Sequence, residues 1–265
     1  MYKIFCLGNS LTADTTRWFS DLSMHEEGYA KTVALLYGGR DIETHAARLI
    51  DATPDYDIFI NGVGSRLKGN VVCTFPTDEW SHVMIQQRMA QAPDRNAVND
   101  AELRRQYEEI GSYLHYAAPK ARILVLNTWL TGEKPTTAKA YKEASAIRYE
   151  MAEFAADCLG TGRENIVPAG RVIDALNFEN ISNLWRDTVH MSLSFGRYVA
   201  AQTLYSFLSG KTAVTDFRYF KQPRVEEDFL FASIHGMHFA PTDEKELHVA
   251  QETIDRILKD PKNMW

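Results

Sequence analysis

The chain has 265 residues, 45% of them hydrophobic, and a formal net charge of −6. That length supports one substantial core, and no internal linker interrupts it, so a single α/β domain is the natural expectation. The acidic balance argues against a polyanion-binding surface and so against a nucleic-acid partner, and no apolar run reaches the ~18–20 residues that a membrane span needs.

The cysteines Cys6, Cys73 and Cys158 are scattered, odd in number and free of any Cys-x-x-Cys pair. That spacing fits neither a disulfide framework nor a structural zinc site. Only a few apolar residues follow Lys3, so no signal peptide precedes the first strand. The chain therefore reads as soluble, and as cytoplasmic unless a leader was removed ahead of it, which would make it periplasmic or secreted.

In chain order, strands are predicted at 3–7, 32–37, 56–60, 82–85, 122–126 and 165–167. Most are near-continuous runs of Val, Ile, Leu and Phe, as in strands covered on both faces, which points to a parallel sheet. Helical patterns lie between them at about 11–27, 42–52, 99–117 and 137–159. Asn99 or Asp100 can cap the third of these, and Pro119 follows its end. The segment 192–208 carries Leu193, Tyr198, Ala201, Leu204, Tyr205 and Leu208 on one face, with Gly210 placed to close it. Residues 211–241 are rich in aromatics without a sustained period, and a last helix is predicted at about 243–259, ahead of Pro261. Strand alternating with helix implies an α/β fold, a three-layer α/β/α sandwich with a central parallel sheet.

Functional groups in such a sheet collect at the carboxyl ends of the strands. The first strand runs into Gly8-Asn9-Ser10-Leu11. A serine at that turn can be a nucleophile at a helix N-terminus, or simply an N-cap. Asp187 precedes His190 by three residues, close enough for the carboxylate to orient the imidazole, although an Asp and a His in the first turn of a helix are also ordinary. The second strand ends in Tyr37-Gly38-Gly39, where a glycine N–H can face an oxyanion or merely build a tight turn. The fourth ends in Gln86-Gln87, whose side-chain amides either donate to an oxyanion or bind loop backbone.

These blocks resemble, in order and spacing, those of the SGNH (GDSL-type) serine hydrolases over roughly residues 2–210. The Gly-Asn-Ser variant, the run from Gly38-Gly39 to His45, Val83-Met84-Ile85-Gln86-Gln87, Asn127-Thr128-Trp129 and Arg186-Asp187-Thr188-Val189-His190 are similar to one poorly characterised bacterial branch, whose members often occur with carbohydrate-active enzymes. The resemblance implies a flavodoxin-like SGNH hydrolase fold at 1–210, with 211–265 as a C-terminal extension packed on the same domain. It further implies Ser10 as nucleophile, His190 as general base and Asp187 as its orienting partner. Its oxyanion hole would use the amides of Ser10 and Gly39 and a side-chain amide. Most of the superfamily takes that amide from a Gly-x-Asn-Asp block, which this chain lacks, so Gln86 takes the place by position and Gln87 stands second.

Other residues are open to two readings. His45 follows Gly39 by about a helical turn and either lines the pocket or packs within the fold. Trp129 ends a strand and either stacks on a sugar or is buried. His235 and His238 have a metal-like spacing without accompanying ligands, so no metal site is read. Neither a dinucleotide fingerprint nor a Walker A loop is present. The expectation is thus a serine esterase acting on a short acyl ester, acetyl for choice, carried by a carbohydrate, with no cofactor. Its rivals are an inactive binding module on the same fold and a doubly wound nucleotide- or phosphate-binding enzyme. The aromatic 211–241 region fits core packing, a cover over the site or a homo-oligomer contact.

Overall fold

The computed structural model describes residues 1–88, 96, 100–132, 137–181, 183–212 and 244–262. Seven strands among these form one sheet: β1 (Tyr2–Gly8), β2 (Ala30–Leu36), β3 (Tyr56–Ile60), β4 (Val63–Gly69), β5 (His82–Gln86), β6 (Arg122–Leu126) and β7 (Ile166–Val167). Their order across the sheet is β4-β3-β2-β1-β5-β6-β7. The five strands from β2 to β7 in that order pair in parallel. β3 and β4 pair antiparallel, so the sheet is mixed and not wholly parallel as the apolar runs suggest. β3 also runs antiparallel to β2, and a tight turn accounts for the β3–β4 pairing. Asn61 and Gly62 both hold positive φ, at 50° and 75°, the geometry of a two-residue hairpin, and it carries β3 straight into β4.

Successive strand residues point to opposite faces, and each face has its own core. Ile4 and Cys6 of β1 join Met84, Leu124 and Leu126 on one side, while Phe5 and Leu7 join Val83, Ile85, Ile123 and Val125 on the other. Helices α1 (Ser10–Thr16), α2 (Phe19–Glu26), α7 (Ala169–Phe178), α8 (Phe195–Ser209) and α9 (Glu244–Lys259) cover the first face. Helices α3 (Ile42–Asp51), α5 (Ala101–Ala117) and α6 (Ala138–Cys158) cover the second, with the short α4 (Val71–Thr74) beside them. The result is three layers. α9 brings Ala250, Ile254 and Ile257, all fully buried, into the same core as α7 and α8.

The helix predicted at 11–27 is broken between α1 and α2, where the backbone of Arg17 lies within 2.6 Å of where a Cβ on Gly62 would sit. Asp100 caps α5 by accepting from the amides of Glu102 and Leu103, and Gly210, with φ of 70°, closes α8. His235, His238 and most of the 211–241 segment lie outside the described residues.

Candidate active site

The carboxyl ends of the parallel strands gather the site. Gly8 ends β1, and Asn9 then caps α1 by accepting from the Leu11 amide at 3.1 Å. Ser10 is the first residue of that helix, and it meets a loop 180 residues away: its Oγ lies 2.8 Å from His190 Nε2. The Asp187 carboxylate takes the other imidazole nitrogen, with Nδ1 at 2.9 Å from Oδ2 and 3.1 Å from Oδ1. A carboxylate only accepts, so Nδ1 carries the hydrogen and Nε2 is left as acceptor for the serine hydroxyl.

Asp187 is also held by its own loop. Its Oδ1 accepts from the amides of Val189 and His190, both at 2.8 Å. Partial burial pushes its carboxyl up, but these amides and the imidazole outweigh that, and the net effect lies below the usual carboxylate range. The loop is closed by the Arg186 amide on His190 O at 3.1 Å and by a bridge between Trp185 and Met191.

The amides near Ser10 can be accounted for one by one. Asn9 N and Thr12 N donate to Gln86 Oε1, each at 3.2 Å, Leu11 N donates to Asn9 Oδ1, and Ala13 N donates to Asn9 O. Among the described residues no acceptor takes the Ser10 amide or the Gly39 amide. Gly39 sits in the turn after β2 with φ of 65°, and Asn9 Nδ2 ties that turn to the Ser10 helix by donating to Arg40 O at 3.0 Å. Both N–H groups are thus left without a protein acceptor, one on Ser10 itself and one in the turn tied to its helix.

The two glutamines differ. Gln86 Oε1 also accepts from Thr12 Oγ1 at 2.8 Å, and its Nε2 has no acceptor among the described residues. Gln87 is 1% exposed; its Nε2 donates to Arg148 O, and its Oε1 accepts from Asn127 Nδ2 and the Thr128 amide. That bracing role corrects the expectation that left it as second donor. His45 is likewise a core residue. It is 2% exposed, its Nδ1 lies 2.8 Å from the Tyr56 hydroxyl, its ring stacks on Tyr56, and burial pushes its pKa down to about 3. Trp129, also 2% exposed, offers no open ring face for a sugar; its Nε1 donates to Val189 O at 2.8 Å and braces the His190 loop.

Sequence reasoning passed over Asn9, Gly132 and Asp14. Gly132 N donates to Thr188 O at 2.7 Å, and Asp14 meets the same loop from α1. The spacing of Asp14, four residues after Ser10 on one helix, was the available signal, since it places both on one face.

No family model matches the chain, and no curated protein matches it either. Solved structures do match. A DUF4886 family protein from Bacteroides uniformis aligns at 17% identity with a TM-score of 0.72, covering 99% of this chain and 96% of its own. The acetylxylan esterase Axe2 from Geobacillus stearothermophilus aligns at 12% identity and a TM-score of 0.52, over 81% of this chain and 97% of its own. A candidate GDSL-like lipase from Parabacteroides merdae aligns at 12% identity and a TM-score of 0.50, over 79% and 96%. At these identities the likeness establishes a shared fold: a central sheet between layers of helices, as in the GDSL-like and acetylxylan esterase structures.

Proposed function

We propose that the chain is a serine esterase of the SGNH type, acting through Ser10, His190 and Asp187. One observation carries this reading: the serine hydroxyl and the imidazole, 180 residues apart in sequence, approach to 2.8 Å while a carboxylate engages the far nitrogen. Nucleophile, base and orienting group stand in the order that acyl transfer needs.

The chemistry follows from the atoms. The Ser10 hydroxyl attacks an ester carbonyl carbon, a new C–Oγ bond forms, and the hydroxyl proton passes to His190 Nε2. The carbonyl π pair moves onto oxygen, where the Ser10 and Gly39 amides and Gln86 Nε2 stabilise it. Collapse of the tetrahedral intermediate breaks the ester C–O bond, and His190 Nε2–H returns its proton to the leaving alcohol. Water then repeats the steps on the acyl-enzyme, releasing the acid and restoring Ser10. Asp187 stays ionised throughout and holds the imidazole in one tautomer.

The substrate we assign is a short acyl ester, an acetyl group on a carbohydrate alcohol. The name of the acetylxylan esterase of like fold supports this choice, by fold analogy. Hydrolysis of p-nitrophenyl acetate by wild-type protein and by Ser10→Ala tests the reading. The variant is expected to lose on the order of 10⁴-fold or more in kcat. Equal rates would reject the esterase. Acetate release from acetylated xylo-oligosaccharides, compared with butyryl and octanoyl p-nitrophenyl esters, tests the acyl and alcohol assignments.

A further inference from the structure

The segment that carries Asp187 and His190 has to be held at a fixed distance from α1, because a hydrogen-bonded approach of 2.8 Å tolerates little drift. One side chain joins the two. Asp14 lies one helical turn beyond Ser10 and is fully buried. Its Oδ2 accepts from the Met191 amide at 2.9 Å, and its Oδ1 accepts from Arg186 Nη1 at 3.2 Å. Arg186 immediately precedes Asp187 and Met191 immediately follows His190, so one carboxylate grips the loop at both ends. Oδ1 also accepts from Arg197 Nε at 2.7 Å, which anchors the cluster to α8. Arg186 Nη1 returns to the loop by donating to Met191 O at 2.8 Å.

The burial of this cluster argues for a purpose. Arg186 and Arg197 side chains are 6% and 1% exposed. Carrying a carboxylate and two guanidiniums out of water is expensive, and a well-packed apolar set of similar size commonly does as well for stability. What an apolar set lacks is direction. A carboxylate with two donors on Oδ1 and one on Oδ2 fixes the loop ends in both distance and angle relative to α1.

We propose that Asp14 is a positioning residue for Ser10 and His190: with Arg186 and Arg197 it forms a strut that sets the separation of hydroxyl and imidazole. The strut touches no substrate. It rests on the esterase reading, and it acts through the 186–191 loop on the orientation of His190.

The test uses Asp14→Asn and Arg186→Gln in the full chain. An asparagine offers only one acceptor oxygen, so either the Met191 amide or the arginines lose their partner. Arg186→Gln keeps the Asp14–Arg197 and Asp14–Met191 contacts; it removes the Arg186 end, with its bond to Met191 O and its 3.9 Å approach to Asp187 Oδ2, and is gentler than losing the carboxylate. With p-nitrophenyl acetate, at a temperature well below each variant's unfolding midpoint, Asp14→Asn is expected to lose ~10–100-fold in kcat with KM unchanged, and Arg186→Gln a smaller share of the same loss. The rate of covalent labelling by a fluorophosphonate should fall by the same factor as kcat, since both need the activated hydroxyl. A crystal structure of Asp14→Asn should show Ser10 Oγ and His190 Nε2 beyond hydrogen-bond reach.

Wild-type kcat and labelling rate in either folded variant overturn the strut. Activity that falls only in step with the folded fraction, or failure of both variants to fold, makes the cluster a plain stability element and overturns it too. Failure of the esterase reading looks different: Ser10→Ala would then match wild type in turnover, and the distance in the variant crystal would still decide whether Asp14 positions the pair.

Discussion

The oxygen of the Gln86 amide faces three donors, Asn9 N, Thr12 N and Thr12 Oγ1. Two of these are backbone N–H groups, so the amide cannot be turned round, and its NH2 end must point elsewhere. The same contact explains why a glycine precedes Asn9: a Cβ on Gly8 would lie 2.1 Å from Thr12 Oγ1 and 2.9 Å from Gln86 Oε1. Gln86→Glu separates the two ends of the amide. A carboxylate can accept from the same three donors, at a helix N-terminus that favours negative charge, while the N–H donors vanish. If Nε2 is the third oxyanion donor, kcat on p-nitrophenyl acetate falls by ~10²–10³ with little change in the unfolding midpoint. Gln86→Met, which removes the donor without adding charge, must show a comparable fall. Unchanged kcat in Gln86→Glu places the third donor elsewhere. At this scale the sequence was legible where chemistry is local: Asp187 and His190 stand three residues apart, and Ser10 follows a strand and a Gly-Asn turn. Asp14, the brace from Trp129 and the tie from Asn9 to Arg40 were not legible, because each acts through a partner tens to hundreds of residues away. His45 stayed open between pocket and core for a related reason, since its place against Tyr56 depends on the packing of α3 over β3.

At the scale of elements, α6 and α7 support the loop after β6, and that loop supports the His190 segment. Asp174 on α7 accepts from the Leu130 amide at 2.9 Å and from Ser145 Oγ on α6 at 2.5 Å. Trp129 and Gly132, on either side of Leu130 and Thr131, then hold Val189 and Thr188. Burial pushes the Asp174 carboxyl up to about 6, against the pull of Ser145, Leu130, Arg148 and Arg171. Between the ordinary value of ~3.9 and about 6, the folded chain holds a proton that the unfolded chain has released. This group therefore adds stability that is fully present below ~3.9 and lost as pH rises through about 6. Urea unfolding of wild type and Asp174→Asn at pH 4.5 and 7.5 isolates it. The stability difference should move toward the wild type by about 2 kcal/mol at the lower pH. A difference independent of pH would show an ordinary carboxyl. Legibility at this scale followed hydrophobic pattern. Strands β1, β2, β5 and β6 read clearly because each buries an apolar run, and β3 reads from Tyr56, Ile58, Phe59 and Ile60 although only Tyr56 and Phe59 are buried. α7 was missed because Ala169 to Asn177 are all buried, and its polar row, Arg171, Asp174 and Asn177, serves internal hydrogen bonds instead of a solvent face. β4 was missed because its sequence, Val63-Gly64-Ser65-Arg66-Leu67-Lys68-Gly69, is a largely exposed edge strand, even though Asn61-Gly62 spells out the hairpin before it.

Over the whole molecule, two histidines oppose Asp174. Burial pushes His45 down to about 3, and burial with Arg122 nearby pushes His82 down to about 4. Each imidazole is neutral in the fold at a pH where the unfolded chain, at ~6.5, already binds a proton. Their contribution is present above ~6.5 and lost as pH falls toward the folded values. At pH 4.5 the pair costs on the order of 5 kcal/mol relative to pH 7.5, against the gain of about 2 kcal/mol from Asp174. A net loss on the order of 3 kcal/mol is the expected result. Self-repulsion cannot produce that early loss. The net charge of −6 moves toward zero on acidification, which relaxes repulsion at first. Urea midpoints measured from pH 7.5 to 4.5 should therefore fall, most steeply below ~6.5. His82→Gln, which keeps a polar partner for Ser81 Oγ at the amino end of β5, should flatten the fall by about 2 kcal/mol without changing stability at pH 7.5 by a similar amount. A midpoint that holds level or rises on acidification would mean that these imidazoles titrate as freely in the fold as in the unfolded chain.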